Sequence, residues 1–223
     1  MFIVSSLEKE MVSGKRVIDV GSLDYTLILR TFIESWGHPA EYVGVDIFKG
    51  PGVDLICAAE NVKQQFGENS FDTVFATELL EHVKDWRIVV SNMKAICRPG
   101  GLLIITTRSK GFRYHACPHD AWRFELEDME RVFSDFEILG LQKDNYEPGV
   151  FVMARKPGDF TENDLTGYEI YNIIVDKRVG QTTDKDFHTL RYLCLFLTDK
   201  LYKTCELLTK CVGRVSSFQP HGR

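Results

Sequence analysis

The sequence predicts a doubly wound α/β domain, and three observations carry that expectation. Short apolar runs alternate with helical stretches, the pattern of a parallel sheet covered on both faces. Glycines and acids stand just after those runs, where an open parallel sheet binds its ligands. After the fifth run the alternation gives way to two strands joined by a loop holding Pro148-Gly149. The sheet is therefore expected to be seven-stranded and mixed, with a terminal antiparallel hairpin.

The elements follow in order. Arg16 to Val20 is the first strand, closed by Gly21, and a helix is predicted across Thr26 to Ser35. Glu41 to Asp46 and Val53 to Cys57 are the second and third strands, and Phe71 to Ala76 the fourth. From Asp85 to Cys97, the residues Trp86, Val89, Val90, Met93 and Ile96 recur at helical spacing. Arg98-Pro99-Gly100-Gly101 stops that helix, because proline and glycine continue a helix only at a cost. Leu102 to Thr106 is the fifth strand. A polar-aromatic loop, Thr107 to Phe124, leads to a short helix at Leu126 to Phe133 and to the hairpin strands Phe136 to Leu141 and Val150 to Arg155.

Lys156-Pro157-Gly158-Asp159 marks a boundary, giving a domain over 1–156 and a largely helical extension over 157–223. Within the extension a helix is predicted from Phe187 to Val212. Leu190, Leu193, Cys194, Leu197, Leu201, Cys205 and Leu208 form one stripe on it. The stripe is read as packing on its own domain or on a second copy of the chain. Tyr192, Leu195 and Phe196 add apolar surface off the stripe and keep membrane-surface contact open.

Composition narrows the function. The chain has 223 residues, 44% of them hydrophobic, enough for a real core. A formal net charge of -5 argues against a broad nucleic-acid surface. None of the six cysteines forms a CxxC pair, so neither a zinc nor a redox site is expected, and no other metal site is. Reduced thiols, an N-terminus unlike a signal peptide and the absence of a long apolar run fit a cytoplasmic protein without a transmembrane segment.

Asp19-Val20-Gly21 ends the first strand, and Asp46 ends the second about 25 residues on, the spacing of a glycine turn and a ribose-binding acid. The GxGxxG of a pyrophosphate cradle is absent, which favours a nucleoside without phosphates over a dinucleotide. S-adenosylmethionine is such a ligand.

The segment from Val17 to Ser22 resembles the first motif of class I S-adenosylmethionine-dependent methyltransferases, and Tyr42-Val43-Gly44-Val45-Asp46 resembles their second. Phe71 to Val83 is similar to the fourth-strand segment of the type 11 methyltransferase group, and Arg98-Pro99-Gly100-Gly101 matches its helix ending. The resemblance covers about residues 14–156 and implies a Rossmann-like fold with S-adenosyl-L-methionine as cofactor. It places Asp19, Gly21 and Ser22 at the cofactor loop, Gly21 and Ser22 close to the methionine part. Asp46 would meet the ribose hydroxyls, with Ile47 against adenine, Ala59 and Glu60 near the adenine edge, and Thr77 and His82 on the pocket floor. Two departures stand out. The first loop keeps one glycine, and Ala58 stands where many members carry an acid. They motivate an alternative, a non-catalytic module that keeps the fold and binds a partner through its C-terminal helix.

The acceptor end is read from Tyr114 to Phe124. His115 or His119 is a candidate base, oriented by Asp120. Arg123 and Arg113, with Trp122 beside them, are candidates to hold an anionic acceptor. The competing reading of Asp120, Trp122 and Arg123 is a brace that holds the loop. No signature of nucleic-acid amino methylation or of cytosine carbon methylation follows the fourth strand. The expectation is therefore methyl transfer to a small-molecule acceptor, a sugar or related metabolite oxygen. Two copies of the chain could pair through the C-terminal helix. A nicotinamide-dependent oxidoreductase is a third reading, disfavoured by the missing GxGxxG and the terminal hairpin.

Overall fold

A computed structural model describes residues 6–216, with the side chains of 207 and of 210–216 excepted. Seven strands form one sheet in the order β3-β2-β1-β4-β5-β8-β7. They are β1 (Arg16–Val20), β2 (Glu41–Asp46), β3 (Leu55–Ile56), β4 (Phe71–Thr77), β5 (Cys97–Arg108), β7 (Glu137–Lys143) and β8 (Gly149–Arg155). β1 pairs in parallel with β2 and β4, and β5 with β4, whereas β8 runs antiparallel to both β5 and β7. The chain runs outward from β1 through β2 to β3 and returns to β4. The switch in strand order thus lies between β1 and β4, where open α/β sheets carry their ligand crevice.

The central strands are apolar because both faces of the sheet are covered. Val17, Phe75 and Ile104 point to one face, against Leu29 of α1 (Ile28–Phe32) and Ile33 in the turn that follows it. Ile18, Val74 and Leu103 point to the other, against Trp86, Val89, Val90 and Met93 of α3 (Trp86–Ile96). The Asp85 carboxylate caps α3 by accepting from the N–H groups of Arg87 and Ile88. The short α2 (Val62–Phe66) precedes β4, and α4 (Leu126–Val132) precedes the hairpin.

Three elements differ from the sequence expectation, each for a local reason. α1 starts only at Ile28 because the Asp24 carboxylate accepts from the Thr26 N–H, the Thr26 hydroxyl and the Ile28 N–H, folding residues 24–27 into a turn. β3 is two residues long; it sits at the sheet edge, pairs only with β2, and leaves Ile56 exposed. β5 begins at Cys97, directly after α3, so the Pro-Gly-Gly segment lies within the strand span rather than before it.

The extension is helical in its second half only, over Asp184–His188 and Leu190–Ser216. Its first half carries β9 (Ile170–Asn172) and β10 (Lys177–Val179), which join β6 (Trp122–Arg123) in a second, antiparallel sheet of order β10-β9-β6. Trp122 pairs with Asn172 and Arg123 with Tyr171. Leu165, Ile170 and Ile174 enter the main core, and the Arg87 guanidinium of α3 donates to the carbonyls of Leu165, Tyr168 and Gly180. The segment after 156 is thereby built into the wall of the first domain.

α5 (Leu190–Ser216) presents the opposite face to the one its leucines suggest. Tyr192 packs edge-on against Tyr114 and Phe187, and Asp199 is buried, paired with Arg113 at 3.5 Å and with Lys203 at 2.7 Å. The stripe, read as packing on its own domain or on a second copy of the chain, does not pack on its own domain: it faces outward, with Leu190 78% and Leu201 68% exposed. The tyrosine ring and the paired carboxylate, not the leucines, fix the orientation of the helix. Among the described residues no helix is long and apolar enough to cross a membrane.

Candidate active site

A cavity of about 480 Å³ opens at the carboxyl ends of β1 to β4. It is lined by Gly21, Asp46, Ile47, Ala59, Glu60, Thr77 and His82, seven residues the sequence assigned to cofactor binding, and by His119. Gly21 has φ +83°, a conformation that suits glycine, and a Cβ there would lie 3.0 Å from the Leu79 side chain. Its N–H and that of Ser22 both donate to the Val45 carbonyl, at 2.8 and 3.0 Å, which pins the loop after β1 to the end of β2. The Asp46 carboxylate follows at that strand end. Its oxygens accept from the Leu23 N–H at 3.2 Å and the Phe48 N–H at 2.9 Å, so backbone on both sides aims it.

Asp19 and Ser22 line a smaller adjoining cavity of about 240 Å³, which shares Gly21, Thr77 and Glu78 with the larger one. Asp19 accepts from the Tyr42 hydroxyl at 3.0 Å, while its other oxygen and the Ser22 hydroxyl are buried with no partner. Burial pushes the Asp19 carboxyl up to about 7, against the lowering effect of the Tyr42 bond. An unfolded Asp loses its proton near pH 4, so between about pH 4 and 7 the unfolded chain holds fewer protons and stability falls as pH rises. Asp19→Asn is accordingly expected to raise the melting temperature of the ligand-free protein more at pH 8 than at pH 5. Equal shifts at the two pH values would contradict a neutral buried Asp19.

Thr77 and Glu78 close β4. Glu78 has a left-handed backbone, φ +53°, and is held by the Thr106 hydroxyl at 2.9 Å and by an ion pair with Arg108. His82 donates Nδ1–H to the His119 carbonyl at 2.6 Å, and burial holds its imidazole below the usual range. Glu81 is fully buried. It accepts from the Thr107 hydroxyl at 2.8 Å, has its other oxygen unpartnered, and is pushed up to about 8 by burial and then by Glu78.

The acceptor-side candidates separate. Asp120 and Arg123 are fully buried and paired two-to-two, with Nη2 to Oδ2 at 2.8 Å. Burial alone would raise the Asp120 carboxyl, but bonds from Arg123 and His115 outweigh it and hold Asp120 well below the ordinary range. Arg123 also donates to the carbonyls of Phe112, Arg113 and Trp122. Trp122 is equally buried and donates its indole N–H to the Val83 carbonyl at 2.9 Å. The expectation that Arg123 and Trp122 touch the acceptor is therefore corrected, because every donor they have is spent inside the protein. Arg113 turns toward α5, stacked on Tyr202 and facing Asp199, and does not line the cavity.

Asp120 orients His115, with Nδ1 to Oδ2 at 2.9 Å, and leaves His119 without a carboxylate behind it. His119 reaches the cavity, and its ring leans on Phe187 of the extension. Neither Glu78 nor Glu81 is among the residues the sequence assigned to the site. The signal that could have found them is their place in Glu78-Leu79-Leu80-Glu81-His82, directly after a strand of the binding edge.

The residues present fit a nucleoside cofactor of the S-adenosylmethionine type. The loop lacks a Cβ at its tight turn, a carboxylate stands at the second strand end, and two residues lining the adjoining cavity each have a buried oxygen without a partner.

Comparison with known proteins agrees with this fit. The chain is 32% identical over 143 residues to a ubiquinone biosynthesis O-methyltransferase of Parvibaculum lavamentivorans, covering 64% of this chain and 53% of that protein. It thus spans about half the length of this relative. A ubiquinone biosynthesis O-methyltransferase of Vibrio parahaemolyticus is 25% identical over 80% of this chain and 78% of its own length. In fold, the chain is similar to the 1,6-didemethyltoxoflavin-N1-methyltransferase of Burkholderia thailandensis, solved with S-adenosylhomocysteine. The TM-score is 0.54 at 16% identity, covering 65% of this chain and 72% of that one. A protein family described as a methyltransferase domain matches residues 3–139. With more than half of its length matched by that family, on a sheet whose binding edge carries the glycine turn and the strand-end acid, the chain belongs to the methyltransferase domain family.

Proposed function

We propose that the protein transfers the methyl group of S-adenosylmethionine to an oxygen of a small-molecule acceptor. The observation that carries the reading is the Asp46 carboxylate, aimed by two backbone N–H groups into the cavity beside the Gly21 turn. Asp46 would accept from the two ribose hydroxyls, with Ile47, Ala59 and Glu60 around the adenine. Asp19 and Ser22, which line the adjoining cavity and each have a buried unpartnered oxygen, would hold the charged methionine end. When bound, the sulfonium supplies the methyl group, and the chain's task is to place the acceptor in line with it.

A second cavity of about 730 Å³ shares Thr77 and Glu78 with the first and is lined by Arg108, Gln142, Asp144, Asn145 and Tyr146 among others. Its many hydrogen-bonding groups and its tyrosine suit a polyhydroxylated acceptor such as a sugar or a related metabolite. The name of the two relatives supports oxygen as the atom methylated. His119 lines the first cavity, where it would take the proton released by an acceptor hydroxyl reaching in from the second past Thr77 and Glu78.

Thermal shift tests the reading, because a ligand of the native state alone raises the melting temperature. S-adenosylhomocysteine should raise it by several degrees and NAD should not. Labelled methyl should then pass from S-adenosylmethionine to hydroxyl acceptors. Stabilisation by NAD without any by S-adenosylhomocysteine overturns the proposal.

A further inference from the structure

We propose that Glu81, His82 and His115 form a binding site for one divalent transition-metal ion of the zinc class. A ligand atom from each of the three lies within 4.8 Å of the others, although His115 stands 33 residues beyond His82 in sequence. The cluster arises because β5 and the loop after it fold back over the turn that follows β4: the Ala121 N–H donates to the Glu81 carbonyl at 2.8 Å.

Two independent features mark it as a ligand site rather than a meeting of side chains. Glu81 is wholly buried, yet its Oε1 has no hydrogen-bond donor; this oxygen faces the His82 Nε2 at 4.0 Å. A buried carboxyl oxygen without a partner is costly, and a bound cation offsets that cost by taking the place of the proton the group otherwise holds. Both imidazoles are also already oriented. His82 donates Nδ1–H to the His119 carbonyl, and His115 donates Nδ1–H to the Asp120 carboxylate, which Arg123 holds in turn. Each ring therefore carries its lone pair on Nε2. Metal-binding histidines are held in this way by a carbonyl or carboxylate on the remote nitrogen.

Two imidazoles and one carboxylate select zinc-class ions over magnesium or calcium, which prefer all-oxygen sets. Ligand atoms around a tetrahedral zinc stand roughly 3.4 Å apart, for bonds of about 2.1 Å. The ligand atoms lie up to 4.8 Å apart, so the partly exposed His82 and His115 rings would have to turn inward as the ion binds. His82 also lines the large cavity, so the ion stands at its wall. There it would hold an acceptor oxygen that reaches in from the second cavity past Thr77 and Glu78, and make its hydroxyl easier to deprotonate, a role that rests on the methyl-transfer reading.

The test is metal binding by the full chain after treatment with a chelator. Zinc is titrated in competition with a chromophoric chelator, and cobalt(II) is added for its visible absorption. One equivalent of zinc is expected, and cobalt should give the intense bands of a low-coordinate nitrogen-oxygen site. His115→Ala and Glu81→Gln should each weaken zinc at least about 100-fold while S-adenosylhomocysteine still binds, which shows that the variants fold. His115→Asn serves if the alanine variant does not fold. Failure to bind one equivalent, or binding that survives these substitutions, overturns the site, as does binding that disappears in Cys117→Ser instead. A wild-type protein that takes zinc at this cluster but ignores S-adenosylhomocysteine upholds the site and refutes only the methyl-transfer reading.

Discussion

Replacing Asp46 by alanine is expected to weaken S-adenosylhomocysteine binding by on the order of 100-fold or more, read by titration calorimetry. A hydrogen bond to a charged group is worth roughly 1.5–3 kcal/mol, and two ribose hydroxyls present two of them. Each 1.4 kcal/mol is about tenfold in affinity, so even the lower figure gives about two decades. The carboxylate also accepts from the Leu23 and Phe48 N–H groups, so its loss loosens the flanking backbone as well. Asp46→Asn keeps one acceptor oxygen and should fall between wild type and alanine. Unchanged affinity in Asp46→Ala would mean that this carboxylate does not face the sugar.

Arg123→Met carries the largest expected cost to stability, about 3–5 kcal/mol, because it leaves the Asp120 carboxylate buried without its counter-charge. For a chain of this size that lowers the melting temperature by on the order of 10 °C. The double variant Asp120→Leu with Arg123→Met should recover part of the loss, since it removes the stranded charge along with its partner. Had Arg123 served the acceptor, the single variant would weaken acceptor binding and leave the melting temperature in place. That outcome would restore the role the structure denies it.

The contrast between these two residues shows what the sequence exposes. Gly21 and Asp46 were legible because the fold dictates where strand ends go, and a strand end in a parallel sheet is already at the ligand. The parallel strands and the hairpin were legible for the same kind of reason, as continuous apolar runs broken by glycine and proline. Arg123 and Asp120, three residues apart in a loop, are chemically suited both to binding an anion and to binding each other. Only burial decides between the two, and burial of a loop depends on what covers it. The cover comes from Ile170 to Asn172, a strand too short to announce itself by alternation.

The face by which the C-terminal helix meets its own domain was hidden for a related reason. Its leucine spacing defines an apolar face truly enough, but a buried Asp199 paired with Arg113 reads as ordinary surface until the partner is seen. The convergence of Glu81, His82 and His115 was likewise hidden. Two of the three are adjacent, and the third is brought in by a loop whose path no local pattern encodes.

The small sheet has a consequence for how the molecule comes apart. β6 belongs to the loop that bears the histidines, and its backbone is zipped to β9. The Ile173 N–H further donates to the Ala121 carbonyl at 2.8 Å. Fraying that starts in residues 165–180 therefore propagates straight into that loop, while β1 and β4 remain intact. The histidine loop would lose its shape first and the folded scaffold would outlast it, so residues 165–180 act as a keystone for a site encoded upstream of them.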